Sequence, residues 1–248
     1  MSNVETNPRE TRCGGRAAVA VEPVRELLSG ATVPLGGPRG MMVTRTLPNR
    51  VRRMVGAWCF LDFYGPADLT SSPGMRVPPH PHLGLQTVSW LAAGEVLHRD
   101  SLGSYQLIEP GQLNLMTAGR AISHSEETPA EHSAVLHGVQ LWTALPDKYR
   151  HIAPQFAHHA GLPVLTDTGV MVRVIMGELG DIASPAQIFS PLAEVQQRTD
   201  RKRQAVHLHR AGQDQRRVLP VRHQRQPRVG ALGQNRLRPD QRTEDLRR

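Results

Sequence analysis

Cysteine is nearly absent from this 248-residue chain: Cys13 lies in a polar N-terminal segment and Cys59 in an apolar run. Two cysteines in such different surroundings argue against a disulfide framework, and we expect Cys59 to be a small buried hydrophobic residue. The scarcity of thiolates also argues against a closed structural zinc site built on cysteine.

Long hydrophobic runs are missing as well. No apolar stretch is long enough to span a bilayer and no signal peptide is recognisable, so we expect a soluble, cytoplasmic protein with no membrane partner. Glycine (22 residues) and proline (20 residues) instead separate many short apolar runs. This spacing predicts an all-β architecture with many turns, with strands expected at residues 41–47, 54–63, 85–91, 112–116, 134–143 and 169–176.

Acidic residues are outnumbered by basic ones only in the last part of the chain. Residues 195–248 contain 15 Lys and Arg against 5 Asp and Glu, whereas residues 1–194 carry a net charge of −2. The formal net charge of +8 therefore comes entirely from the last 54 residues. The body of the protein has no electrostatic footprint for nucleic acid.

The last segment also lacks aromatic residues, and it contains nine Gln and fourteen Arg. Such a composition cannot bury enough surface to offset chain entropy, so we expect disorder. Three interpretations are open: a solvated basic tail, a nucleic-acid-binding arm, and the product of a reading-frame shift near residues 192–198. A binding arm usually carries many lysines, and Lys202 is the only one here.

Two pairs of polar residues carry the strongest functional signal. His80 and His82 flank a proline, and His124 precedes Glu126 by two positions. In an extended chain residues i and i+2 point to the same side, so each pair can converge on one point. If the two strands face each other, three imidazoles and one carboxylate surround one cavity. That ligand set suits a divalent transition metal such as Fe(II).

The alternative for each histidine is a hydrogen-bonded structural role, which is the commoner one for a single histidine. His98 stands out among the others because it lies between the two pairs, two residues before Asp100. The spacing of Gly74, His80 and His82 resembles the opening of the cupin metal motif. That motif normally continues with a glutamate where this chain has Gln86, and a neutral amide is a poor ligand. Glu126 is therefore expected to supply the carboxylate, while Glu127 would point away from a strand's inner face.

Seven sequence blocks, in their order and spacing, resemble the pirin family of cupin proteins from about residue 41 to residue 192. They are Arg-Thr-Leu-Pro (45–48), Arg-Met-Val-Gly (53–56), Phe-Leu-Asp-Phe-Tyr-Gly-Pro (60–66), Pro-His-Pro-His (79–82), Gln-Leu-Asn-Leu-Met-Thr-Ala-Gly-Arg (112–120), Ile-Ser-His-Ser-Glu (122–126) and His-Gly-Val-Gln-Leu-Trp (137–142). The resemblance implies a bicupin, with two stacked β-barrel halves and an iron site in the N-terminal half only. The family's ligands correspond to His80, His82, His124 and Glu126.

The resemblance also sets the expected domain organisation. We expect a loose segment at 1–30, a pirin-like cupin domain with the metal site at 31–150, a linker and the start of the second half at 151–192, and the basic tail at 193–248. Because the strand pattern is lost where the second half should continue, the reading-frame shift is the preferred interpretation of the tail. The expected fold class is an all-β, cupin-type barrel with an intact N-terminal half and a degraded C-terminal half.

Two functions from different classes follow from the resemblance. The first is an Fe(II)-dependent, ring-opening dioxygenase of the quercetin 2,3-dioxygenase type, acting on a flavonol-like substrate and dioxygen, with Glu126 as metal ligand and catalytic proton acceptor. The second is a non-enzymatic, iron-binding, redox-sensing regulator that acts through protein partners. Binding of nucleic acid through the tail is a third hypothesis and is not expected.

Two supporting roles are also predicted from the sequence. Gln86 or Ser125 would orient the metal-binding imidazoles. Trp90, Met116 and Leu141 are candidates for the lining of an apolar substrate cavity, with a place in the plain core as the commoner alternative.

Overall fold

The computed structural model describes residues 28–35, 40–167, 170–199 and 204–210. The regular elements in these ranges are strands, seventeen in all. They are β1 (Ala31–Pro34), β2 (Met42–Leu47), β3 (Trp58–Asp68), β4 (Arg76–His82), β5 (Leu85–Ala93), β6 (Val96–Asp100), β7 (Tyr105–Ile108), β8 (Leu113–Thr117), β9 (Ile122–Glu127), β10 (Val135–Ala144), β11 (Gln155–His159), β12 (Val164–Asp167), β13 (Val170–Met176), β14 (Glu178–Leu179), β15 (Ile182–Ala183), β16 (Leu192–Thr199) and β17 (Gln204–Arg210). Within this part of the chain, no helix is long and apolar enough to cross a membrane.

The strands form antiparallel sheets whose order differs from their order in the sequence. A seven-stranded sheet has the order β1-β2-β3-β10-β5-β8-β11, and a four-stranded sheet has the order β4-β9-β6-β7. A second four-stranded sheet, β12-β13-β16-β17, and the β14-β15 pair complete the described fold. Each of the six strands predicted from the sequence overlaps an observed one, namely β2, β3, β5, β8, β10 and β13.

The seven-stranded sheet is buried on both faces. On one face Val88 and Leu141 belong to a core cluster that also contains Met176 of β13. On the other face Leu91 packs with Ile108 of the four-stranded sheet that holds β4 and β9. Because side chains alternate along a strand, β5 and β10 contribute side chains to both clusters. One cluster contains Met176 of β13, and the other lies between the seven-stranded sheet and the β4-β9-β6-β7 sheet.

The seven-stranded sheet continues past residue 150, where the sequence predicts the end of the first domain. β11 pairs with β8, with Phe156 opposite Met116. Phe156 also packs against the buried cluster of Met116, Ala118 and Ile122. The Phe156 side chain thus packs at the edge of the first domain, and β11 belongs to that domain.

The structure also differs from the sequence expectation just after residue 192. β16 pairs with β13 on one side and with β17 on the other, where the sequence predicts disorder. Leu192 is buried in the core cluster shared by the seven-stranded sheet and the β12-β13-β16-β17 sheet. Leu208 packs against the same cluster. Backbone pairing and the packing of these two leucines stabilise β16 and β17, although the polar composition of the segment does not predict strands. Residues 211–248 lie outside the described ranges, and the reading-frame shift stays a prediction.

The packing of Gly138 in β10 yields a stability prediction. A Cβ atom at Gly138 would lie 2.6 Å from the Trp90 carbonyl oxygen, 2.7 Å from Leu91 Cδ2 and 2.8 Å from Tyr64 Cε2. Because a backbone oxygen cannot rotate away, we expect Gly138→Ala to lower the free energy of unfolding by about 1–3 kcal/mol, as overpacking typically does. Chemical denaturation with urea measures the change.

Gly161→Ala is the matched control, because a Cβ atom there would meet nothing within 4 Å. We expect its free energy of unfolding to stay within about 0.5 kcal/mol of the parent. Equal stability of the two variants would contradict the tight packing of β10 against β3 and β5.

Candidate metal centre

The register of β4 on β9 brings the two predicted ligand pairs together. His80 lies opposite His124 across the antiparallel pair, and Val77 lies opposite Glu126. Residues directly opposite each other in such a pair project to the same face. Along β9, Ile122, His124 and Glu126 are buried while the residues between them are less so, which places His124 and Glu126 on the inner face.

A bulge in β4 produces this register. Between Val77 and His80 the chain advances three positions, while β9 advances only two. Pro78-Pro79 fills the bulge, and proline has no N–H group to withdraw from the ladder. Without the extra residue His80 would lie opposite Ser123 and would point to the other face from His124.

The three imidazoles meet through the same ring atom. Nε2 of His80 lies 3.0 Å from Nε2 of His82 and 3.2 Å from Nε2 of His124. Nδ1 of His80 donates to the carbonyl oxygen of Pro78 at 2.9 Å, which leaves the lone pair on Nε2 in a neutral ring. Two nitrogens bound to one ion at about 2.1 Å and at right angles lie about 3.0 Å apart, so the spacing fits a shared metal ion.

Burial favours the neutral, metal-binding form of these rings. Burial, followed by the charges of His124 and His80, lowers the pKa of His82 to about 3. Burial, followed by the charges of His80 and His98, lowers the pKa of His124 to about 3. A neutral imidazole is the form that binds a metal ion, so three imidazoles beside a carboxylate make a site that fits a divalent transition metal.

Glu126 lies on the same cavity but belongs to a different group of potential ligands. Its carboxylate joins His98 and His124 in a group whose ligand atoms lie within 4.8 Å of one another. Oε1 of Glu126 lies 2.9 Å from Ser89 Oγ, which donates to it, and the same hydroxyl lies 2.8 Å from Gln140 Oε1. The structure thus brings the three histidines together and sets Glu126 beside them, and the four-residue ligand set stays a prediction.

Gln86 and Ser125 do not have the orienting roles predicted for them. Gln86 donates to Thr117 Oγ1 at 2.9 Å and to the carbonyl oxygen of Gln187 at 3.1 Å. Ser125 alternates with the inward-facing residues of β9, so its side chain points to the other face. Glu127 points the same way and pairs with two arginines, at 3.1 and 2.9 Å.

A cavity that is partly open to solvent lies beside the imidazoles. Phe60 and Trp142 form an aromatic part of its wall, with ring centroids 4.0 Å apart and planes 12° from parallel. Besides the three histidines and Glu126, the lining residues are Leu35, Phe60, Tyr64, Met75, Val77, Gln140 and Trp142. The wall is therefore mostly apolar, with a few polar groups at one end.

The three residues predicted to line the cavity do not line it. Trp90 and Leu141 belong to the core cluster on the opposite face of the seven-stranded sheet. The reason is the two-residue period of a strand: Leu141 lies between Gln140 and Trp142, so it points away from them. Met116 belongs to a separate buried cluster.

His98 is the residue that sequence reasoning undervalued. Its Nδ1 lies 3.4 Å from Nδ1 of His124, and its Nε2 lies 3.1 Å from Oδ2 of Asp100. Although burial acts in the opposite direction, hydrogen bonds from His98, Ser104 and Leu102 hold the pKa of Asp100 below its usual range. The available signal was the i, i+2 spacing of His98 and Asp100, the same as in the two ligand pairs.

Comparison with known proteins agrees with this fold. The family model described as Pirin matches residues 40–143, which include β4, β9 and the three converging histidines. Residues 40–143 therefore form a domain of the pirin family. Its relatives include a Pseudomonas aeruginosa protein whose name assigns it provisionally to quercetin 2,3-dioxygenase, 48% identical over 172 residues (69% of this chain and 53% of the relative).

Two further proteins are similar to this chain in sequence or in fold. A pirin-like protein of Caulobacter vibrioides is 44% identical over 159 residues, covering 60% of this chain and 54% of the relative. The crystal structure of quercetin 2,3-dioxygenase from Acinetobacter baumannii matches with a TM-score of 0.67 and 43% identity, over 70% of this chain and 57% of that one. The predicted all-β, cupin-type fold is confirmed. The chain spans about half the length of the curated relatives it matches.

The buried neutral histidines predict how the metal-free protein responds to acid. In the unfolded chain a histidine titrates near its ordinary pKa of about 6.5, whereas His82 and His124 in the folded protein titrate at about 3. Between these values the unfolded state binds protons that the folded state does not. The free energy of unfolding therefore falls as pH falls below about 6.5, by up to about 1.4 kcal/mol per pH unit for each histidine.

Urea denaturation of chelator-treated protein at several values from pH 7 to pH 5 measures this slope. We expect a shallower slope in the variant with His82→Gln and His124→Gln, and an unchanged slope for His132→Gln, which alters an exposed histidine. The same slope in all three proteins would contradict the buried, neutral state of the rings.

Proposed function

We propose that this pirin is a metal-dependent dioxygenase of the quercetin 2,3-dioxygenase type, with Fe(II) held by His80, His82, His124 and Glu126. The observation that carries the proposal is the convergence of three Nε2 atoms, with separations of 3.0 and 3.2 Å from His80, on a cavity with an aromatic wall. The names of the relatives from Pseudomonas and Acinetobacter, which refer to quercetin 2,3-dioxygenase, support it.

The residues of the chain have separate tasks in this proposal. When bound, iron supplies a Lewis acid for a substrate oxygen and one-electron chemistry toward dioxygen. The three imidazoles and the Glu126 carboxylate would hold it beside the cavity that receives the substrate. Glu126 accepts the proton of a substrate hydroxyl group, and Ser89, which donates to Glu126 Oε1 at 2.9 Å, keeps that carboxylate in place.

The cavity wall supports a flat, aromatic, flavonol-like substrate. The edge of His82 contacts the ring of Trp142, with centroids 4.8 Å apart, so the aromatic surface reaches the imidazoles. Aromatic rings favour contacts with one another, either offset-stacked or edge-to-face.

The regulator hypothesis uses the same ligands and stays a prediction, as do the protein partner and the cytoplasmic location. The nucleic-acid hypothesis depends mainly on tail residues after 210, which lie outside the described ranges. Turnover of a flavonol separates the enzyme from the regulator, because a regulator needs no substrate.

Oxygen consumption by the Fe(II)-loaded protein, measured with a panel of flavonols including quercetin, tests the enzyme. We expect consumption with at least one flavonol. We expect Glu126→Gln to lower kcat by about 10²- to 10⁴-fold while part of the metal stays bound to the three imidazoles, because the amide cannot accept the substrate proton.

Glu127→Gln is the matched control, since Glu127 is the adjacent carboxylate but pairs with surface arginines. We expect this variant to retain the activity of the parent. Parent-level turnover by Glu126→Gln would remove Glu126 from the proposed chemistry, and a metal-loaded protein that consumes no oxygen with any flavonol would overturn the proposed activity.

A further inference from the structure

Behind the candidate metal centre lies a chain of three side chains, Asp100, His98 and His124. Oδ2 of Asp100 lies 3.1 Å from Nε2 of His98, and Nδ1 of His98 lies 3.4 Å from Nδ1 of His124. Both imidazoles are almost fully enclosed, with 2% of His98 and 3% of His124 exposed. The other nitrogen of His124, Nε2, is the atom that faces His80 at 3.2 Å.

The carboxylate of Asp100 determines where His98 carries its proton. Oδ1 of Asp100 accepts from the backbone N–H groups of Leu102 and Ser104, at 2.9 and 3.0 Å. Oδ2 is left to accept from His98, because an ionised carboxylate has no proton to donate. Because His98 donates to this carboxylate from Nε2, the tautomer with a single ring proton carries its lone pair on Nδ1.

That lone pair in turn determines the tautomer of His124. An acceptor on Nδ1 of His98 favours a proton on Nδ1 of His124, which then carries its lone pair on Nε2. This is the tautomer that can bind a metal ion beside His80. The ring of His98 cannot turn freely, because it stacks on Phe156 with centroids 4.4 Å apart and planes 17° from parallel.

We propose that Asp100 and His98 are positioning residues that fix the tautomer and orientation of His124 and thereby keep its Nε2 available to the metal. Partners of this kind commonly contribute about 10- to 100-fold to metal affinity. The inference rests on the metal site of the proposed function but not on its flavonol chemistry, so affinity and turnover can fail separately.

The decisive variant is Asp100→Asn, which keeps the shape of the side chain and reverses one hydrogen bond. The amide oxygen stays with the two backbone N–H groups that require an acceptor, so the amide NH2 faces Nε2 of His98. His98 then accepts at Nε2 and donates from Nδ1, and His124 accepts at Nδ1 and carries its proton on Nε2. Because that nitrogen no longer offers a lone pair, we expect metal binding to weaken about 10- to 100-fold.

Two measurements follow this change. The dissociation constant for Co(II), obtained by competition with a chromogenic chelator, gives the affinity. Nitrogen-15 NMR of histidine-labelled, metal-free protein gives the tautomer directly. We expect the proton of His124 on Nδ1 in the parent and on Nε2 in Asp100→Asn, a difference that a merely structural role of the carboxylate would not produce.

A double-mutant cycle tests whether Asp100 acts through His98 on His124, here called the relay, or only through the turn that follows β6. His98→Phe removes both ring nitrogens and can still stack on Phe156, and we expect it to weaken Co(II) binding by at least about 10-fold. In that background Asp100→Asn should add less than about 2-fold, because the link to His124 is already broken. His98→Asn restores an acceptor near the position of Nδ1 and should recover part of the affinity.

Asp68→Asn is the control for a carboxylate that only supports a turn, since Asp68 accepts from the N–H and hydroxyl groups of Thr70. We expect it to leave the Co(II) dissociation constant unchanged. Equal effects of Asp100→Asn in the parent and in His98→Phe, or an Nδ1 proton on His124 in both the parent and Asp100→Asn, would overturn the relay. A parent that binds no Co(II) would overturn the relay and the metal site together, whereas tight binding without flavonol turnover would overturn the proposed activity alone.

Discussion

A single extra residue in β4 sets the register on which the candidate site depends. Pro78-Pro79 lengthens the path from Val77 to His80 by one position relative to β9, and this places His80 opposite His124. A strand slipped by one residue presents every side chain to the opposite face. The bulge therefore decides whether the two ligand pairs share one cavity or lie on opposite sides of the sheet.

Burial of His82 and His124 favours the neutral form of their rings, which is the form that binds a metal ion. The pKa of His82 and of His124 falls to about 3, so protons compete weakly with a metal for these rings at neutral pH. Each ring still needs a partner for its N–H group. His80 uses the carbonyl oxygen of Pro78, and His124 uses His98, so the same contacts that satisfy the rings direct their lone pairs toward one point.

The sequence is enough to predict that the members of each ligand pair lie together, because they are close neighbours in the chain. His80 and His82, like His124 and Glu126, are two positions apart, and the period of a strand suffices to place each pair on one face. Ser89 and Gln140 lie on β5 and β10, and only the sheet order brings them to the cavity. The same order explains why Trp90 and Leu141, one position away, were expected in the cavity and lie in the core instead.

Metal content of the purified protein, loaded anaerobically with Fe(II) and desalted, tests the central claim most directly. Elemental analysis should find about one iron per chain in the parent, none in the variant with His80→Ala and His124→Ala, and about one in a variant with His132→Ala and His151→Ala, which alters two exposed histidines. A well-folded parent without iron, or equal iron in both double variants, would contradict a metal centre built on the converging imidazoles.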